Sequence, residues 1–153
     1  MHEKNQKCVI VIDETLPIGI IANASAILGI TLGAKVEEIV GDNVMDKTGN
    51  SHLGIIKIPI PILKATTETI KAIHKKLYEH DFYDLTTVDF TDLAQSCKTY
   101  DEFIERMNHT QEKDLKYIGL AIYGNKNKIN ILKRFFHLYH IEINELIFYL
   151  KED

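Results

Sequence analysis

Asp13 and Glu14 end the β-branched run Lys7 to Ile12 and precede a stretch with helical character. In open α/β sheets the segments leaving the carboxyl ends of strands line the ligand crevice, so this acidic pair is a first candidate for binding. Asn23 is the one amide on the helix that comes next, placed either to orient a ligand or to pair with a neighbouring loop. Asn125, after Tyr123 and Gly124, can cap a final helix and leave its free backbone amides facing an anion. The seven histidines are His2, His52, His74, His80, His109, His137 and His140. His137 and His140 could share a helical face, but no acid or thiol stands at ligand spacing beside them, so no metal site and no cofactor is expected. His52, ahead of a strand-like run, is the histidine read as a candidate acid or base.

Other patterns carry less chemistry. Ser25 and Ser96 lack the Gly-x-Ser-x-Gly setting of a nucleophile elbow. The segment Gly29 to Lys35 is one residue short of a phosphate loop, and no Ser or Thr follows its lysine. Lys71, Lys75 and Lys76 form one basic helix face and Lys126, Lys128, Lys133 and Arg134 another; both read as solvated surface.

The elements that must position these groups alternate in type. The continuous apolarity of Lys7 to Ile12 predicts a central strand covered on both faces. Pro17 opens a helix in which Ala22, Ala26, Gly29 and Gly33 form a small-residue stripe, expected to lie close against a sheet. Val36 to Ile58 reads as a hairpin around Asp46-Lys47-Thr48-Gly49 feeding a strand Gly54 to Ile58, which Pro59 and Pro61 end. Thr66 or Thr67 caps a helix lined by Ile70, Ile73 and Leu77. A strand over Leu85 to Phe90, a short helix over Thr99 to Met107 with Tyr100, Phe103, Ile104 and Met107 inward, a strong strand Lys116 to Tyr123 and a helix through Ile129 and Leu132 complete the order. This order predicts an α/β fold with a mixed sheet. Ile143, Leu146, Ile147 and Leu150 then predict an amphipathic C-terminal helix.

Length and composition agree. The chain has 153 residues, 45% apolar, with 18 Lys and Arg against 22 Asp and Glu for a net charge of −4. A chain of this size buries roughly two-thirds of its unfolded surface in one core, so one domain over residues 1–153 is expected. The negative balance argues against broad nucleic-acid binding. Residues 15–34 carry no charge and could span a bilayer by length, but their Thr, Asn, Ser and Gly content fits a helix of a soluble protein buried on most sides, with no membrane partner. Cys8 and Cys97 form no Cys-x-x-Cys pair, which suits a reducing cytoplasm.

Four segments together resemble a known family. They are Lys7 to Asp13 running into Leu16-Pro17-x-Gly19-x-x-Ala22-Asn23-Ala24; His52-x-Gly54-Ile55 leading to Ile58-Pro59-Ile60-Pro61-Ile62-Leu63-Lys64-Ala65; Phe90-Thr91-x-Leu93-Ala94-Gln95-Ser96 with Tyr100-Asp101-Glu102; and Tyr117 to Gly124. The chain to about residue 140 resembles the bacterial family termed domain of unknown function two thousand, with 141–153 as an extension. The resemblance implies a fold similar to the type 2 peptidyl-tRNA hydrolases: a mixed sheet of four or more strands with helices on both faces. Where those hydrolases carry a helix lysine this sequence has Ile20, and where they carry glutamine it has Ala24, which removes a cation able to stabilise negative charge. The expectation is therefore a small or anionic ligand in the crevice, lined by Asp13, Asn23, Gln95, Ser96 and Asn125. The alternatives are cleavage of an aminoacyl- or peptidyl-tRNA ester by Asp89 or Thr91 with His52, and an interaction module docking through the tail. A homodimer is implied by the hydrolase relatives.

Overall fold

The computed structural model describes residues 5–138. The tail helix expected over 141–153 lies outside them. Strand β1, Gln6–Asp13, is followed by α1, Ile18–Lys35, and by a small hairpin of β2, Val44–Met45, and β3, Ser51–His52. Strand β4, Ile62–Ala65, leads into α2, Thr67–Lys76, and β5, Thr86–Thr91, into α3, Asp92–Ser96, and α4, Tyr100–Asn108. Strand β6, Tyr117–Asn125, continues into α5, Lys126–Leu138. The main sheet has four strands in the order β4-β1-β6-β5. β4 runs parallel to β1, whereas β6 is antiparallel to both β1 and β5, giving the mixed sheet that the element order predicts.

β1 owes its central place to side-chain type. Cys8 to Ile12 are each at most 2% exposed, because alternate residues face opposite layers and each layer is covered. Cys8, Ile10 and Ile12 meet Ile21, Ala24, Leu28 and Leu32 of α1. Val9 and Val11 meet Ile70 and Ile73 of α2 and Ile129 and Leu132 of α5 on the other side. Each such aliphatic side chain contributes about 1.5–3 kcal/mol by burial, so no polar replacement along the run is tolerable. The Cys8 thiol shares this environment, and burial pushes its pKa up to about 12.

Three expectations are corrected. First, the small-residue stripe of α1 faces outward: Ala22, Ala26 and Gly33 are exposed, and Ile18 and Ile30 with them. The wide side chains of Ile21, Leu28 and Leu32 fill the space above the sheet instead, so α1 is buried on one face rather than on most sides. Although α1 is long and apolar enough to cross a membrane by length and composition, it packs on β1, β5 and β6. Second, the two prolines precede a strand rather than end one. Pro61 lacks a donor, but its carbonyl accepts from the Ile10 amide at 3.0 Å, and β4 starts one residue later. The run Gly54 to Ile58 makes only an isolated bridge, Val40 to Ile56. Third, Tyr100 and Ile104 of α4 are exposed, and only Phe103 and Met107 pack on the core.

The pairing of β5 with β6 contains one irregularity. Phe90 pairs with Gly119 but Thr91 pairs with Tyr117, leaving Ile118 as the extra residue of a bulge. Ile118 therefore joins the α1-side core and Tyr117 the α2-side core, whereas strict alternation from Leu120 would exchange them.

Two glycine substitutions test this packing. A Cβ at Gly119 would sit 2.7 Å from Ile12 Cδ1 and 2.8 Å from the Val11 carbonyl, whereas one at Gly33 meets nothing within 4 Å. Gly119→Ala is expected to destabilise by about 1–3 kcal/mol through overpacking, and Gly33→Ala to stabilise the helix by about 0.5–1 kcal/mol. Thermal melts of the two variants should therefore move in opposite directions from the parent.

Candidate functional site

The α2 face of edge strand β5 carries a polar group inside the core. On α2 the apolar stripe Ile70, Ile73 and Leu77 leaves one inward position at helical spacing, and His74 fills it, only 4% exposed. On β5, Thr87 and Asp89 share the face of Leu85, which alternation places over the same core. His74 Nε2 lies 3.1 Å from Asp89 Oδ2, with the imidazole buried and the carboxylate 40% exposed. An ionised carboxylate only accepts, so Nε2 donates this hydrogen bond. Nδ1 is closed from solvent and has no protein partner. The ring stacks on Tyr117 at 4.3 Å between centroids, and Tyr78 meets it edge-on at 5.1 Å. Tyr117 reaches this position through the β6 bulge, and its hydroxyl donates to Glu112 Oε1 at 3.2 Å. Burial, with the charges of Glu112 and Asp89 adding to it, pushes the Tyr117 pKa far above the usual phenol range, so this hydroxyl stays protonated.

Two cavities flank the imidazole. One, about 250 Å³, is lined by His74, Tyr78, Tyr83, Thr87 and Asp89 with Leu77 and Leu85. The other, about 580 Å³, lies on the far side of His74 between α2 and the turn at Glu112 and Lys113. Lys71 on its rim is committed, its Nζ 2.7 Å from the Lys113 carbonyl and 3.3 Å from that of Leu115. Among the described residues no hydrogen bond reaches Asp89 Oδ1, and its carboxylate is the one carboxyl group lining the smaller cavity.

The residues singled out from sequence fall in several places. Asp89 lies at this cleft. Asp13 and Thr91 lie at the carboxyl ends of β1 and β5, and both are buried. Asp13 Oδ1 accepts from the amide and hydroxyl of Thr15 at 2.9 and 2.8 Å, while its buried Oδ2 has no partner. Thr91 accepts from the Ala94 amide at 3.3 Å and so caps α3. Gln95 and Ser96 are exposed on α3, and Ser96 Oγ donates to the Leu93 carbonyl and accepts from Arg106. Asn23 is exposed on the outer face of α1. Asn125 is at the opposite end of the sheet from Asp13, paired with Gln6, where it caps α5 through the amides of Asn127 and Lys128. His52 stands on the exposed hairpin, 3.0 Å from Asp46. The structure thus gathers no single crevice from Asp13, Asn23, Gln95, Ser96 and Asn125. Among the described residues, no three His, Cys, Asp or Glu side chains converge on a point where a metal ion would sit.

His74 belongs to no motif, and reading the sequence for chemistry passes over it. Its signal is nonetheless present: a histidine at the one vacant position of a stripe of period 3.6, facing a strand whose alternation puts an aspartate on the same layer.

The fold and cleft define a small three-layer α/β protein with a buried imidazole–carboxylate pair at one sheet edge. The chain belongs to the family of proteins of unknown function DUF2000, whose model matches residues 6–140. Its fold is similar to the solved structure of a protein of unknown function from Agrobacterium tumefaciens strain C58, with 19% identity, a TM-score of 0.76, and coverage of 85% of this chain and 94% of that one. No curated protein matches the sequence.

This geometry carries two expected outcomes. In Asp89→Ala the buried imidazole loses its one hydrogen bond, which costs about 1–3 kcal/mol, whereas Asp89→Asn keeps an acceptor and loses less; urea unfolding of both variants measures the difference. On the hairpin, the His52 hydrogen bond and then the Asn50 amide hold the Asp46 carboxyl at about 2, below its ordinary value. The folded pKa is depressed, so this contribution is complete above the unfolded value of about 3.9 and disappears as pH falls through about 2. Carboxyl-detected NMR should show that midpoint, and His52→Ala should raise it.

Proposed function

We propose that the protein binds a small ligand in the cleft between α2 and β5, with Asp89 as the polar contact and His74 as the group that positions it. The observation that carries this reading is the buried His74 held on a half-exposed carboxylate. Burying an imidazole against a partner that remains open to water leaves one carboxylate oxygen fixed in direction and uncommitted. Ligand sites are commonly built this way, from a mostly apolar wall and a few oriented polar groups. Leu77, Leu85, Tyr78 and Tyr83 supply that wall.

Binding is favoured over ester cleavage by the same contacts. Among the described residues His74 has one hydrogen-bond partner, the Asp89 carboxylate, and no hydroxyl or thiol in hydrogen-bond contact of the kind a nucleophile–base pair needs. Thr91 is buried and engaged in capping α3. We read the scaffold as a relative of the type 2 peptidyl-tRNA hydrolases that has turned to ligand binding. The mixed sheet with helices on both faces supports that kinship, and the loss of the hydrolase lysine, replaced by Ile20, supports the change of role.

The test is a fragment screen of chemically mixed small molecules against the ¹⁵N-labelled full chain. Hits are expected to shift the amides of Thr87, Asp89, His74 and Tyr78 and to lose those shifts in Asp89→Ala. Hits confined to the hairpin, or to the groove between α1 and α4, would refute the reading.

A further inference from the structure

Resting on that reading, the geometry points to the class of ligand: we infer that the cavity beside Asp89 takes a small organic cation, an ammonium group carried on an apolar body. Four titratable side chains line the 250 Å³ cavity, and they are His74, Tyr78, Tyr83 and Asp89. None is a lysine or arginine. Asp89 Oδ1 takes no hydrogen bond from the described residues and is the one free carboxylate oxygen here, beside the hydroxyls of Thr87, Tyr78 and Tyr83. A ligand entering here meets a carboxylate that needs a donor, preferably a charged one.

The surrounding groups reinforce the sign. Glu112 and Asp89 both act on Tyr117 beneath the imidazole, so the field under the cleft is negative. On the β5 side, Lys128 is tied to Asp84 at 2.7 Å in the adjoining depression, which shares Tyr83 with this cavity. On the α2 side, Lys71 is held by main-chain carbonyls. Neither can present its charge to the cavity without breaking those bonds, and Lys75, which shares the larger cavity with His74 and Tyr78, does not line this one.

The aromatic rings select for the same charge. Tyr78 and Tyr83 both line the cavity and are 75% and 68% exposed, a large amount of aromatic surface left in water beside one carboxylate. A ring face attracts a cation electrostatically, and two rings with a carboxylate are the elements of an ammonium site. An anion would meet like charge at Asp89, with only the hydroxyls of Thr87, Tyr78 and Tyr83 as donors to offset it. A neutral polar ligand would use the carboxylate without its charge.

The experiment uses the ¹⁵N-labelled full chain and four probes: benzylamine hydrochloride, tetramethylammonium chloride, benzyl alcohol and sodium benzoate. Benzylamine is expected to give saturable shifts at Thr87, Asp89 and the Tyr83 amide with a dissociation constant on the order of 1 mM. Tetramethylammonium should compete with it. Asp89→Asn should weaken binding about tenfold or more while remaining folded by its amide spectrum, and Tyr83→Leu should weaken it about threefold or more. Benzyl alcohol, of the same shape without charge, should bind at least about tenfold less tightly. Equal binding of benzyl alcohol would overturn the cation assignment and leave the ligand site standing. Saturable binding of benzoate at the same amides would overturn it as well. Failure of all four probes together with an empty fragment screen would remove both the cation and the site.

Discussion

Strand β1 has neither a face nor an edge left for water, and that single constraint orders the rest of the molecule. Its five core residues are almost fully buried, and its backbone is paired with β4 on one side and β6 on the other. A strand enclosed in this way needs a layer of helices above and below, which α1 supplies on one face and α2 with α5 on the other. It also pushes β4 and β5 to the edges of the sheet. An edge strand keeps one side unpaired and accessible, so a polar side chain there can be half buried and half solvated. Asp89 occupies such a position.

Burying an imidazole is costly unless its ring nitrogens find partners, because each loses water on entering the core. In this fold one nitrogen finds Asp89, the ring stacks on Tyr117 with Tyr78 in an edge contact, and the other nitrogen is buried with no partner among the described residues. The arrangement ties the conformation of α2 to that of β5 through one directional bond across the core. The β6 bulge belongs to the same device, since it delivers Tyr117 to the α2 side, where it stacks on His74. His74 and Tyr117 together thus tie the packing of α2 to the position of the Asp89 carboxylate.

Much of the scaffold was legible in the residues. Lys7 to Ile12 read as a doubly covered strand, Thr66 or Thr67 with Ile70, Ile73 and Leu77 marked α2, and Lys116 to Tyr123 marked the long partner strand, observed over Tyr117–Asn125. The prolines misled because their missing donors suggest an ending, whereas on an edge strand the free side tolerates them and the Pro61 carbonyl still joins the ladder. The stripe of Ala22, Ala26 and Gly33 misled for a related reason. Small residues permit close approach, but the separation of α1 from the sheet is set by Leu28 and Leu32, so the stripe was free to face solvent. Asp89 was singled out from the sequence for ester cleavage and not for its pairing with His74, because a single histidine on an apolar helix stripe has no motif around it.

By itself, then, the sequence determined the α/β class, the mixed order of elements and the membership of β1 in the core, because local periodicity and side-chain type act over a few residues and survive any arrangement of the rest. Only the tertiary structure decided which polar groups meet. His74 and Asp89 are 15 positions apart and Tyr117 lies farther along still. Their meeting depends on the register of β5 with β6 and on one extra residue at Ile118. A shift of a single residue would turn Tyr117 to the opposite layer, and no pattern confined to one segment records which way that register falls.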